Sequence, residues 1–171
     1  MPDESSNLGR ILGKTGPFGS TRQEVYLNLM RTHAIASGPF ERLMKSHGIS
    51  QSLYNILRIL NGHREQAIET GDPHHGVPVL RIGDQMVSRE PDLTRLVNRL
   101  EKAGLAERKR CSADKRVVYV RITDRGIELL RTLVPLADAL HESQFRGLSD
   151  ADLKSLNELL FRAAVTVKAS G

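Results

Sequence analysis

The apolar positions of this chain recur at helical spacing over most of its length and alternate in one short stretch past the middle. Over residues 23–45, Val25, Leu29, Ile35 or Ala36, Phe40 and Leu43 or Met44 form one helical stripe, and Gly38-Pro39 predicts a kink or a break within it. Ser50 caps a second helix, on which Leu53, Ile56, Leu57 and Leu60 share a face and which Gly62 closes. Residues 63–76 are polar and read as a loop. Residues 79–87 offer Leu80, Ile82 and Met86 to a core; Pro78 suits the start of a helix, although VPVLRI also has strand propensity. Ser88 then reads as the N-cap of a helix with Pro91 in its first turn, Leu93, Leu96, Val97 and Leu100 on its apolar stripe, and Gly104 as its stop. Two strand candidates follow, 105–111 and 117–122, joined by the polar turn Ser112, Ala113, Asp114 and Lys115. Thr123 caps a long helix over 124–146, with Ile127, Leu130, Leu133 or Val134, Ala137 and Leu140 inward and Pro135 expected to bend it. Gly147 ends that helix. Ser149 opens the last one, whose Leu153, Leu156, Leu159, Leu160, Ala163, Ala164 and Val167 make a broad apolar face.

This order predicts a mainly α fold with a small β-wing (α+β class). A short helix with a donor-rich face, followed by a basic two-stranded hairpin, is the pattern of a winged helix-turn-helix that reads double-stranded DNA. The expected contacts on the recognition helix are Ser88, Arg89, Pro91, Thr94, Arg95, Asn98 and Arg99. Arg95 and Arg99 carry forks that suit guanine O6 and N7, and Asn98 suits adenine. Glu90 and Asp92 serve the helix dipole, or Asp92 accepts from a cytosine amine. On the wing the candidates are Arg108, Arg110, Asp114, Lys115 and Arg116, with Asp114 holding Arg116 and a cation entering a narrow minor groove. The expected organisation is a flexible arm over 1–20, helical dimerisation segments over 21–47 and 124–168, and a DNA-binding domain over 50–123. The terminal helices carry more apolar surface than one small core covers, so a homodimer is expected.

The stretch DLTRLVNRLEKAGLAERKRCSADKRVVYVRITDRG resembles the signature region of the MarR family of bacterial transcriptional regulators. The resemblance lies in LTRLVNRLEKAGL, in the D-x-R of Asp114 and Arg116, and in V-x-I-T-x-x-G at the wing exit; it extends to Ala163 and thins before Ser50. It implies a homodimeric repressor on a pseudo-palindromic operator. It also implies a small aromatic or phenolic effector in a crevice, where Tyr26, His33, Tyr54 and Arg58 would supply polar contacts. Relatives that sense oxidants carry their cysteine in the N-terminal helix, whereas Cys111 lies at the wing, so a redox sensor is the lesser alternative. A winged-helix protein-interaction module without DNA binding is another.

Composition narrows the field modestly. The 171 residues carry a formal charge of +5, which favours a polyanionic partner. One cysteine excludes an intrachain disulfide, and no apolar run reaches the roughly 20 residues of a membrane span, so a cytoplasmic protein is expected, and the resemblance implies a bacterial one. His74-His75 lacks further ligands at metal spacing, and no nucleophile–base pair or phosphate loop occurs; neither a metal, a cofactor nor an enzyme is expected.

Overall fold

The computed structural model describes residues 6–71, 76–110 and 118–169. The chain divides into two compact units, Met1–Arg131 and Thr132–Gly171. The first holds α1 (Asn7–Ile11), α2 (Thr21–Ser46), α3 (Gln51–Thr70), β1 (Val77–Pro78), α4 (Val79–Gln85), α5 (Leu93–Lys102), β2 (Ala106–Arg110) and β3 (Val118–Ile122). It also holds the start of α6 (Asp124–Phe145); the remainder of α6 and α7 (Asp150–Ala169) form the second.

Side-chain caps set the helix starts. Ser20 Oγ accepts from the Gln23 N–H, and Ser50 Oγ from the Leu53 N–H, each satisfying an amide that the first turn leaves without a partner. Ser149 opens α7 reciprocally: its Oγ accepts from the Asp152 N–H, and the Asp152 carboxylate accepts from the Ser149 hydroxyl and N–H. Those bonds, the hydroxyl's first, hold the Asp152 carboxyl below its ordinary pKa. Within the expected arm, Ser6 caps α1 and Leu8 is buried.

Several boundaries differ from the sequence expectation. Pro39 lies inside α2, which runs on through it to bury Phe40 and Met44 beyond. Gly62 does not close α3. The helix continues to Thr70, burying Ala67, and stops at Gly71, whose φ of 69° is the left-handed turn a glycine takes without strain. Gly62 is a mid-helix glycine, whose cost of about 1 kcal/mol the packing on either side outweighs. Val77–Pro78 is a strand, and the helix begins only at Val79, so both propensities of VPVLRI are expressed in succession. Leu80 does not enter the core; it is 84% exposed while Ile82 is fully buried. Pairing of Val77 with Val120 fixes where α4 starts, and that phase turns Leu80 outward.

The sheet is three-stranded and antiparallel, in the order β1-β3-β2, rather than a lone hairpin. Ala106 faces Ile122 and Arg110 faces Val118 across β2 and β3. Helix α3 packs against β3, α2, α4 and α5, and its Ile56, Leu57 and Leu60 join Met44, Ile82, Val97, Leu100 and Val120 in the buried core. On α7, by contrast, no residue is buried.

Helix α5, the sheet and the start of α6 meet at one junction. Gly104 turns the chain out of α5 with φ of 68°, and the Leu105 N–H bonds back to the Leu100 carbonyl at 2.9 Å. Thr123, where β3 hands over to α6, donates its hydroxyl to the Gly104 carbonyl and its N–H to the Leu105 carbonyl. The Thr123 hydroxyl also accepts from the Gly126 N–H, so it caps α6 as expected. Gly126 is there because nothing larger fits: a Cβ would collide with the Leu105 carbonyl oxygen and lie 2.7 Å from Ile122 Cγ1. Gly126→Ala must therefore part α6 from the exit of α5, and it should cost about 1–3 kcal/mol or more, read as a lowered urea midpoint. A midpoint equal to wild type would mean that this contact does not constrain the fold.

Candidate nucleic-acid interface

Helix α5 begins later than the sequence suggested. Ser88 does not cap it; Ser88, Arg89 and Pro91 precede the helix, and the N-cap is Asp92, whose Oδ1 accepts from the Arg95 N–H at 2.9 Å. Pro91 supplies the reason. It disfavours helical backbone at Glu90, so the helix cannot extend back to Ser88. The carboxylate of Asp92 is thereby engaged at the helix start, where the dipole favours it.

From that cap, Val97 and Leu100 point into the core with Leu93 and Leu96 half-buried, while Thr94, Arg95, Asn98, Arg99 and Lys102 are exposed. The four exposed donors Arg95, Asn98, Arg99 and Lys102 share one stretch of about two helical turns. Beside them runs β2. Lys109 and Arg110 are exposed, but Arg108 is half-buried and turned onto α5. Its guanidinium pairs with the Glu101 carboxylate, donates to Asn98 Oδ1 at 2.5 Å and approaches the Thr94 carbonyl at 3.5 Å, and its backbone N–H donates to Glu101 Oε1 at 3.1 Å. Arg108, expected as a free wing cation, instead ties the wing to the helix. Two-residue periodicity puts Arg110 on the same side of the strand, still exposed. Asp114, Lys115, Arg116 and Cys111 lie outside the described residues, as do His74 and His75.

The segment between α4 and α5 is pinned from behind by α3. The Val87 N–H donates to Asn55 Oδ1 at 3.0 Å, and Ser52 Oγ donates to Glu90 Oε1 at 2.5 Å. Glu90 is thus a structural acceptor. Sequence reasoning placed Ser52 and Asn55 within the stretch 50–57 along the crevice, but it passed over their hydrogen bonds and over Glu101. The first two act across 32 or more residues, beyond any local pattern, whereas Glu101 on the last turn of α5 facing a basic strand was a readable opposite charge.

The same pinned segment walls an open cleft of about 1020 Å³. Phe40 and Tyr54, packed edge to face at 5.7 Å, give it an aromatic side, and His33, Lys45 and Arg99 line it with basic groups alongside the carboxylate of Glu41. Of the four expected crevice residues, His33 and Tyr54 line the cleft. Arg58 reaches it indirectly, by donating to the Tyr54 hydroxyl at 3.3 Å, and Tyr26 is an exposed residue of α2 outside the lining. Among the described residues no three His, Cys, Asp or Glu side chains gather as a metal site, and no helix is long and apolar enough to cross a membrane.

Comparison with known proteins adds an independent line. The family model described as transcriptional regulator SarA/Rot matches residues 40–133, more than half of the chain. A MarR transcription factor from Planctomyces limnophilus is 34% identical, with 84% of this chain and 97% of that one covered and a TM-score of 0.60. The transcriptional repressor IacR of Pseudomonas putida is 26% identical over 132 residues, 77% of this chain and 72% of its own. The fold is also that of BpsR from Bordetella bronchiseptica, whose DNA binding is regulated by 6-hydroxynicotinic acid; the identity is 19%, the TM-score 0.71, and the coverage 87% and 98%.

The pinning of the α4–α5 segment can be tested without any ligand. Asn55→Ala removes the acceptor of the Val87 N–H and should speed hydrogen exchange at that amide roughly two- to tenfold, the worth of one hydrogen bond. The interior of α3 should keep its protection. Unchanged exchange at Val87 would show that Asn55 does not hold the segment.

Proposed function

This chain belongs to the MarR family of winged-helix transcriptional regulators, and we propose that it acts as a homodimeric repressor that places α5 in the major groove of a pseudo-palindromic operator. The observation that carries this reading is the exposed row Arg95, Asn98, Arg99 and Lys102 on a helix whose opposite face is locked into the core. Arg95 and Arg99 present forks to base edges, while Arg110, together with Lys115 and Arg116, meets phosphates or the flanking minor groove. Ser88, Arg89 and Pro91, just ahead of the helix, lie where backbone contacts would fix its register.

Dimerisation is supported by apolar surface left uncovered in a single chain. On α2, Val25, Leu29, Met30 and Ile35 are exposed; on α7, Leu159, Phe161, Val165 and Val167 are. Such surface favours a second copy. The helical segments 21–47 and 124–168 then serve dimerisation, and 50–123 reads DNA. Release by a small aromatic or phenolic acid is supported by the aromatic and basic lining of the cleft. The regulation of BpsR, a protein of the same fold, by 6-hydroxynicotinic acid supports this reading. A ligand there would touch the segment that Asn55 and Ser52 hold, and so reach α5.

Two recognition helices related by a two-fold must enter grooves on one face of the duplex, about 10 bp apart. Footprinting on the bound fragments should show inverted half-sites, and inserting ~5 bp between them should remove most specific binding. Binding that survives the insertion would mean that each winged unit engages DNA alone. Arg95→Ala should cost about 1–3 kcal/mol on the matched site and much less on a scrambled one. Equal loss on both would exclude base reading by Arg95.

A further inference from the structure

Arg108 does more than tether the wing. A guanidinium carries donors only, so the Asn98 side-chain atom that meets it at 2.5 Å is the amide oxygen, whichever way the carboxamide is drawn. Arg108 is itself fixed. Glu101 takes its guanidinium with one carboxylate oxygen and its backbone N–H with the other, and the Thr94 carbonyl sits by its second terminal nitrogen. The guanidinium is therefore held along the flank of α5, and Asn98 cannot turn its amide over without facing two N–H groups against a cation.

Held this way, exposed Asn98 presents an NH2 group outward, with its acceptor drawn back and polarised by Arg108. The pairing of asparagine with adenine needs both halves of the amide, oxygen to N6–H and NH2 to N7. Asn98 offers only the second half. Guanine presents two acceptors, N7 and O6, and no major-groove donor, and thymine presents one acceptor beside a methyl group. We propose that Arg108 is a positioning residue that sets the base preference of Asn98, so that Asn98 reads guanine where an unheld asparagine would read adenine. The inference rests on the reading of α5 as a major-groove helix.

The test is selection from a random duplex library by the full chain and by Asn98→Ala and Arg108→Met, followed by affinity measurements on the selected site. Wild type should select guanine at one position per half-site where Asn98→Ala selects nothing. Replacing that guanine by 7-deazaguanine should weaken wild-type binding about fivefold and leave Asn98→Ala unchanged. Arg108→Met should shift the same position toward adenine. Should that variant fail to fold, Arg108→Gln, which keeps a donor for Glu101 but can meet either end of the Asn98 amide, carries the same expectation. Adenine or thymine at the Asn98-dependent position, no Asn98-dependent position, or a weaker Arg108 variant with guanine preference intact would each overturn the inference while leaving α5 as the reader. A wild-type chain that selects no sequence would overturn the reading of α5 and this inference together.

Discussion

The winged unit of this protein depends on one short-range constraint, the contact of α6 with the backbone that leaves α5. Gly104 and Leu105 end the recognition helix and start the wing, Thr123 and Gly126 end the wing and start α6, and the four lie against each other through hydrogen bonds and van der Waals contact. Because the contact is made by backbone carbonyls, a threonine and a glycine, it tolerates no added volume. The angle at which β2 leaves α5 follows from it. So does the reach of Arg108, which starts only a few residues beyond Gly104 and must arrive at Glu101 and Asn98.

The second support comes from α3, which performs two tasks with two faces. Its apolar face fills the core beneath the sheet, α4 and α5. Its first turns also carry Ser52 and Asn55, whose polar ends hold the segment ahead of α5 at its amide and carboxylate groups. Hydrophobic burial thus fixes how deep the recognition helix sits, and two directional bonds fix how its leading segment is threaded. The cleft opens beside those bonds, so whatever fills it meets the threading.

Legibility followed the range of the forces involved. Local signals carried far: the stripe of Leu93 to Leu100, the stop at Gly104, the caps at Ser50 and Thr123, and the wing strands all lie where periodicity and turn chemistry put them. Misplacements came where two local signals competed. Ser88 and Asp92 are both good caps, and the backbone restriction ahead of Pro91 decides between them. Gly62 and Gly71 are both good stops, and burial of Ala67 carries α3 past the first. Illegible were contacts whose partners are far apart in the chain, such as Ser52 with Glu90; the clamping of Arg108 was legible only through the opposite charge of Glu101, since charge count alone does not tell a free cation from a clamped one.

The two residues of β1 have a further consequence for how the molecule keeps to itself in a crowded cell. A three-stranded sheet has two open rims, each able to recruit a strand from another chain and seed aggregation. On one rim stands Pro78, opposite Tyr119, with no N–H to offer an incoming backbone. On the other, β2 turns exposed Glu107, Lys109 and Arg110 outward, where charge discourages a neighbouring strand. The short proline-ended strand that completes the sheet therefore also ends its growth on that side.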